Sequence, residues 1–194
     1  MDKISYSLGL SLGYSLMQGG VKTMDIKSLT DGIDDILNNR KPQVSHEEAQ
    51  RLLDGFFREQ ESKIAAEQKS AGEQFLKENA KRAGVKTTPS GLQYEVLETT
   101  IGQKPKATDK VKVHYEGTLI DGTVFDSSYR RGEPISFALN QVIAGWTEGL
   151  QLMSIGSKYK LYIPYNLGYG SNGAGAQIPP YSALIFTVEL LGIE

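Results

Sequence analysis

The sequence predicts an α+β protein: an all-helical N-terminal region with a long connecting helix, then an antiparallel β-sheet wrapped around one short helix. Three observations predict it. The first half repeats apolar residues at helical spacing, whereas the second alternates apolar and polar residues at the two-residue period of half-buried strands. Composition changes near residue 85. Residues 1–88 hold 13 basic and 13 acidic groups, two tyrosines and one proline; residues 89–194 hold 8 basic and 10 acidic groups, eight tyrosines, six prolines and 13 of the 21 glycines. Between the halves runs a helical pattern longer than a small domain needs. The 194 residues suffice for one large domain or two small ones. The expected division is 1–44, a helical dimerisation domain; 45–88, a long connecting helix; and 89–194, the sheet domain.

The first helix is expected from about Lys3 to Gln18. Ile4, Leu8, Leu12 and Leu16 line one stripe, Tyr6, Leu10, Tyr14 and Met17 another, and Ser5, Gly9 and Gly13 a third of small residues. A helix apolar on more than one side is buried on more than one side, and small residues let another helix approach closely. The second helix runs from about Asp25 to Asn39, with Ile26, Leu29, Ile33, Ile36 and Leu37 on one face and Pro42 beyond its end. The third begins at a capping box, Ser45 with Glu48 three residues on, and continues to about Ala83, with Gly84 as its stop. Such a helix of about 39 residues spans about 58 Å. Its start is apolar (Leu52, Leu53, Phe56, Phe57), but Arg58 to Gln74 is mostly polar, the pattern of a rod bridging two bodies through solvent. Residues 1–44 carry too little core to fold alone. Packing on the C-terminal domain would cover them, and so would a homodimer sharing one helical core; the rod favours the dimer.

In the second half Leu92, Tyr94 and Val96 alternate with Gln93 and Glu95, and Val111, Val113 and Tyr115 with Lys110, Lys112, His114 and Glu116. Asp121-Gly122 marks a hairpin turn. Ile135, Phe137 and Leu139 form a short strand, Tyr159, Leu161 and Ile163 oppose Lys158, Lys160 and Tyr162, and Leu184, Phe186, Val188 and Leu190 make the last strand. Gly145 to Met153 reads as the single short helix against the inner face.

Several function classes fall away. A net charge of −2 offers no basic surplus for nucleic acid. The absence of cysteine removes disulfides, thiol nucleophiles and cysteine-ligated metals and fits a reducing compartment. The two histidines, His46 and His114, lie far apart in sequence, so no metal site is expected. Residues 4–21 are uncharged, but half of them are Ser, Gly or Gln, so neither membrane anchor nor signal peptide is expected and the expected location is cytoplasmic. No nucleophile–base arrangement is evident: His114 falls on the polar side of its strand and reads as a solvated surface histidine, and Asp121 as a turn residue. Gly168, Gly170 and Gly173 spell G-x-G-x-x-G, but the following Ala-Gly-Ala-Gln-Ile-Pro-Pro cannot open the helix a dinucleotide site requires. What remains is aromatic residues at strand ends and loop edges with one carboxylate among them: Tyr115, Phe125, Asp126, Trp146, Tyr169 and Phe186. By pattern alone an ordinary aromatic core reads the same way, and no reaction is named.

The stretches VKVHYEGTLIDGTVFDSS, VIAGWTEGLQLMSIGSKYKLYIP, LGYG and IPPYSALIFTVELLGIE, in this order within residues 89–194, closely resemble the FKBP-type peptidyl-prolyl cis-trans isomerase domain. The helical first half is similar in layout to the dimeric bacterial members, the macrophage-infectivity-potentiator-like group. The resemblance implies an FKBP-like fold and an isomerase that needs no cofactor and acts on proline-containing peptides and unfolded client proteins. It implies a homodimer through residues 1–44 and macrolide inhibitors of the tacrolimus/rapamycin type. A dimeric chaperone or peptide-binding module, with isomerisation secondary, is the alternative. Residue by residue, Trp146 matches the aromatic floor; Tyr115, Phe125, Val142, Ile143, Ile178 and Phe186 match the walls; and Phe137 matches an aromatic beneath the pocket. Asp126 matches a buried carboxylate at the edge, and Tyr169 a hydroxyl that donates to a substrate carbonyl. Asp126, Tyr169, Trp146 and Phe125 are the implied catalytic set. Two places depart from the family pattern: Ile135, where many members have an aromatic wall, and the small loop Ala174-Gly175-Ala176-Gln177.

The chemistry suits such a site. Rotation about an X–Pro bond meets a barrier of roughly 18–20 kcal/mol from amide resonance. No bond is broken, so no nucleophile or metal is needed.

Overall fold

A computed structural model describes all residues, Met1–Glu194. Three helices come first: α1 at Lys3–Gln18, α2 at Ile26–Leu37 and α3 at His46–Asn79. Each starts on a side-chain cap. Asp2 accepts from the Ser5 N–H at 2.8 Å, Asp25 from the Ser28 N–H at 2.7 Å, and Ser45 Oγ from the Glu48 N–H at 3.1 Å. α2 is shorter than expected because Asp25 is its cap and Asn39 turns left-handed at φ 52°.

α3 stops at Asn79, short of the expected Ala83. After it the amides of Lys81, Arg82 and Val85 bond to carbonyls three residues back, and Gly84 reverses the chain at φ 90°. Val85–Thr87 then form a strand, so residues 45–88 are a helix plus a strand and not one connecting helix.

The chain divides into two compact units, Met1–Ile64 and Ala65–Glu194, the division falling inside α3. In the first, α1 and α2 bury none of their residues, and Val21 is the one buried hydrophobic side chain. Ile4, Leu8, Tyr14, Met17, Ile26 and Ile36 are all more than half exposed. Gly9 and Gly13 face open space. No helix is long and apolar enough to cross a membrane.

The second unit holds a seven-stranded antiparallel sheet of β1 (Val85–Thr87), β2 (Gln93–Glu98), β3 (Lys110–Leu119), β4 (Val124–Ser127), β5 (Ile135–Ala138), β6 (Lys158–Ile163) and β7 (Leu184–Ile193). The order is β1-β2-β6-β7-β3-β4, with β5 also pairing to β3. The hairpin between β3 and β4 turns where Asp121-Gly122 demands: Gly122 has φ 88°, and the Asp121 carboxylate accepts from the Thr123 N–H at 2.9 Å. Short helices α4 (Ser128–Arg131) and α5 (Ala144–Gln151) complete the unit. α5 lies directly on β6. A Cβ at Gly145 would sit 2.5 Å from Ile163, and one at Gly149 2.7 Å from Leu161, so both glycines are the condition for that approach. Val111, Val113, Leu150, Leu161, Ile163, Val188 and Leu190 are fully buried between helix and sheet.

The two-residue alternation fails where the sheet has cover on its other face. Tyr162, expected on the polar side, is buried; its ring meets Phe75 of α3 at 6.1 Å and its hydroxyl donates to Glu95 at 3.0 Å. Gln93 is buried as well, donating to the Leu76 carbonyl at 2.8 Å and accepting from Asn79 at 2.9 Å. Val96, expected inside, is exposed just before the β2 irregularity. His114 is not a free surface histidine: its ring stacks on Tyr129 at 4.8 Å and its Nδ1 lies 2.9 Å from Ser128 Oγ.

Candidate active site

A cleft of about 620 Å³ opens in the second unit, a size that takes a few residues of peptide. The ten side chains given site roles from the sequence line it: Tyr115, Phe125, Asp126, Phe137, Val142, Ile143, Trp146, Tyr169, Ile178 and Phe186. Strand pairing brings them together. β3 turns Val111, Val113 and Tyr115 inward on alternate positions, and its next inward residue is Gly117, paired with Phe186 on one side and Asp126 on the other. A Cβ at Gly117 would lie 2.6 Å from the Phe125 ring and 2.7 Å from Phe186. That glycine therefore opens the volume the two rings occupy.

Trp146, in the first turn of α5, forms the floor and is nearly fully buried. Tyr115, Phe186 and Phe137 meet it edge-on, with ring centres at 5.0, 5.2 and 5.5 Å. These T-shaped contacts hold the indole orientation. Its Nε1 is buried without a hydrogen-bond partner. Phe137, expected beneath the pocket, reaches the cleft itself. Ile135 packs against the core and does not line the cleft.

The polar edge is a three-residue network. The Tyr115 hydroxyl donates to one oxygen of Asp126, and Arg131 donates to the other. A second Arg131 nitrogen donates to the Tyr115 oxygen at 3.1 Å. Burial, with the hydrogen bond to Asp126 second, raises the Tyr115 hydroxyl to about 12. For Asp126, partial burial works to raise its pKa, but the hydrogen bonds from Tyr115 and Arg131 outweigh it and hold the carboxyl below its ordinary value. Asp126 was expected to be buried; its side chain is 39% exposed, so the charge is held by partners and not by seclusion. Tyr169 also lines the cleft. Its hydroxyl makes no hydrogen bond within the chain, and burial, then the Asp126 charge, raises its pKa.

Gln141, Ala174 and Gln177 also line the cleft. Gln177 and Ala174 belong to the small loop noted in the sequence; Gln141 and Arg131 were not singled out. The signal for Arg131 lay in its position. It sits five residues after Asp126 on α4, which Ser127 caps, and a turn there brings the guanidinium back to the carboxylate. The G-x-G-x-x-G segment opens no helix; a bridge between Ala174 and Ile178 closes it.

Residues 102–191 match the family model of the FKBP-type peptidyl-prolyl cis-trans isomerase, and residues 1–96 match the domain amino terminal to that isomerase. The FKBP-type 22 kDa peptidyl-prolyl cis-trans isomerase of Escherichia coli is 47% identical over 97% of this chain and 93% of its own length. The chain belongs to the FKBP-type peptidyl-prolyl cis-trans isomerases. FkpA of Aeromonas hydrophila is 45% identical over all of this isomerase and 76% of its own length. The outer membrane protein MIP of Legionella longbeachae is 38% identical over all of this isomerase and 85% of its own length. Among solved structures, FkpA from Escherichia coli superposes with a TM-score of 0.78 at 40% identity, covering 99% of this chain and 95% of that one. The isomerase accelerates rotation about X–Pro bonds, and all the cleft residues lie within the 102–191 match.

Proposed function

We propose that the isomerase works non-covalently in the aromatic cleft, with Trp146, Phe125, Asp126 and Tyr169 as the catalytic set and Tyr115, Phe137, Val142, Ile143, Ile178 and Phe186 as the substrate-binding walls. The observation that carries this is one apolar cleft lined by both a charged edge and a hydroxyl without an internal partner. A planar amide is more polar than a twisted one, so an apolar cleft favours the twisted form relative to the planar one. The Tyr169 hydroxyl donates to the carbonyl preceding proline. Asp126, kept ionised by Tyr115 and Arg131, complements positive charge along the bound peptide. Macrolides of the tacrolimus/rapamycin type occupy the same cleft in this reading. The test is cis–trans exchange of a short X–Pro peptide by NMR. Fast exchange with the intact protein, lost in Trp146→Ala and weakened in Asp126→Ala, supports the assignment; undiminished exchange in Trp146→Ala overturns it.

The protein acts as a homodimer through residues 1–44. What supports this is the apolar surface that α1 and α2 leave uncovered in a single chain, and the match of residues 1–96 to the amino-terminal domain of the family. The size of the N-terminal half favours a second role, holding unfolded clients. Deleting residues 1–64, the first unit, separates client holding from isomerisation: peptide isomerisation persists while activity on a folding protein collapses. Cytoplasmic placement, which the cysteine-free composition supports, is tested by cell fractionation.

A further inference from the structure

Tyr169 has no hydrogen bond of its own to place its hydroxyl, so its backbone must place it. The amides of Gly168 and Gly170, on either side of it, both donate to the Tyr165 carbonyl, at 3.1 and 2.9 Å. The Gly170 carbonyl in turn accepts from the Tyr181 N–H at 2.9 Å. Tyr181 has φ 59°, a conformation that a bulky residue keeps only where its surroundings hold it. Its ring packs edge-on against Tyr165 at 5.2 Å, and Ser182 Oγ donates back to the Pro179 carbonyl at 2.7 Å. Tyr165, Gly170 and Tyr181 thus form a backbone knot with Tyr169 at its tip.

The outer side of that knot is in contact with α3. Lys69 Nζ stands 5.7 Å from the centre of the Tyr165 ring, a cation–π distance. One turn on, Gly72 is buried against Ala183, two residues past Tyr181. A Cβ at Gly72 would lie 3.1 Å from the Ala183 Cβ and 3.5 Å from its backbone nitrogen. Glycine is disfavoured inside a helix relative to alanine, and here the close approach of the segment leading into β7 accounts for it.

We infer that Lys69 and Gly72 of α3 are positioning residues for Tyr169, acting through Tyr165 and the Tyr181–Ala183 segment. The inference deepens the role proposed for Tyr169 and rests on it. No residue of α3 lines the cleft, yet the helix sets where the donor hydroxyl stands. The last turns of the helix are therefore part of what positions the donor and not only a spacer.

The experiment uses the full chain with two readings: the aromatic-ring NMR signals of Tyr169, and kcat/KM on an X–Pro peptide. Lys69→Ala and Gly72→Ala are expected to shift the Tyr169 signals and to lower kcat/KM about two- to fivefold, with Lys69→Arg restoring both, because a guanidinium keeps the cation–π contact. In a Tyr169→Phe background the same substitutions change kcat/KM by a factor near one, since the group they position is gone. Unmoved Tyr169 signals overturn the inference, and so do losses that multiply undiminished in the Tyr169→Phe background. Tyr169→Phe as active as the parent would overturn the donor role itself and the inference with it. A Tyr169→Phe loss combined with silent α3 variants overturns the inference alone.

Discussion

At the scale of single residues the cleft divides its work between packing and charge. Trp146 supplies the floor that three aromatic edges hold in place. Trp146→Ala should lower kcat/KM on an X–Pro peptide by roughly tenfold or more, since it removes contact area that the proline ring would otherwise cover. Tyr169→Phe removes one donor and no ring, and should cost about five- to tenfold, the worth of one hydrogen bond. The charged edge makes a prediction about pH. The Asp126 carboxyl is held below its ordinary value of 3.8 and the Tyr115 hydroxyl is raised to about 12. Neither group titrates between about pH 5 and about pH 9, so kcat/KM should be flat across that window. For stability the sign follows from the depressed carboxyl. The stabilising share of the Asp126 network is fully present above 3.8 and is lost as pH falls through the lower folded value. The stability difference between parent and Asp126→Asn, measured by urea unfolding, should accordingly shrink in acid.

At the scale of elements, glycine decides how closely neighbours approach. Gly117 lets the Phe125 and Phe186 rings meet over β3, and Gly145 and Gly149 seat α5 on β6. Gly117→Ala places a methyl group inside the van der Waals radius of both rings. It should destabilise the second unit by about 1–3 kcal/mol in urea unfolding, and it should weaken peptide turnover as well, because the displaced rings are cleft walls. The end of α3 has a comparable influence on the sheet. Asn79, Gln93, Arg82, Glu95 and Tyr162 form a continuous hydrogen-bonded set on the face away from the cleft. That set turns β2 and β6 into strands buried on both faces where the helix lies. It explains why a tyrosine and a glutamine are buried on the outer face there.

At the scale of the whole molecule, the two compact units differ in how they satisfy their apolar surface. The second unit buries a continuous core between α5 and the sheet. The first leaves Leu8, Ile26, Ile36 and Leu37 more than half exposed in a single chain. Burial of such surface against a second copy stabilises the assembly in proportion to the area removed from water. Leu8→Lys combined with Leu12→Lys should convert a dimer to a monomer in sedimentation velocity, while kcat/KM on a short peptide stays within about twofold of the parent, because these positions lie far in sequence from the cleft and surface changes act locally. A monomeric parent would remove the dimer from the proposal.

Local rules carried much of this protein. The helical spacing of the first half, the Ser45 cap and the Asp121-Gly122 hairpin are short-range physics, and each is readable in the sequence to within a few residues. The family motifs carried the ten cleft residues, because those residues stand in ordered stretches whose identity does not depend on measuring any distance. Tertiary contact decided the rest. Whether a strand residue faces water depends on what covers the second face of the sheet, and Tyr162 and Gln93 are buried only because α3 returns there. His114 is stacked because Tyr129, fifteen residues on, folds over it. Arg131 enters the Asp126 network because α4 is a single turn of helix, and Asp126 keeps its charge in a half-open position through two donors that the fold brings to it. Periodicity reports one face of one element at a time; these side chains are governed by a second element packed on the other face.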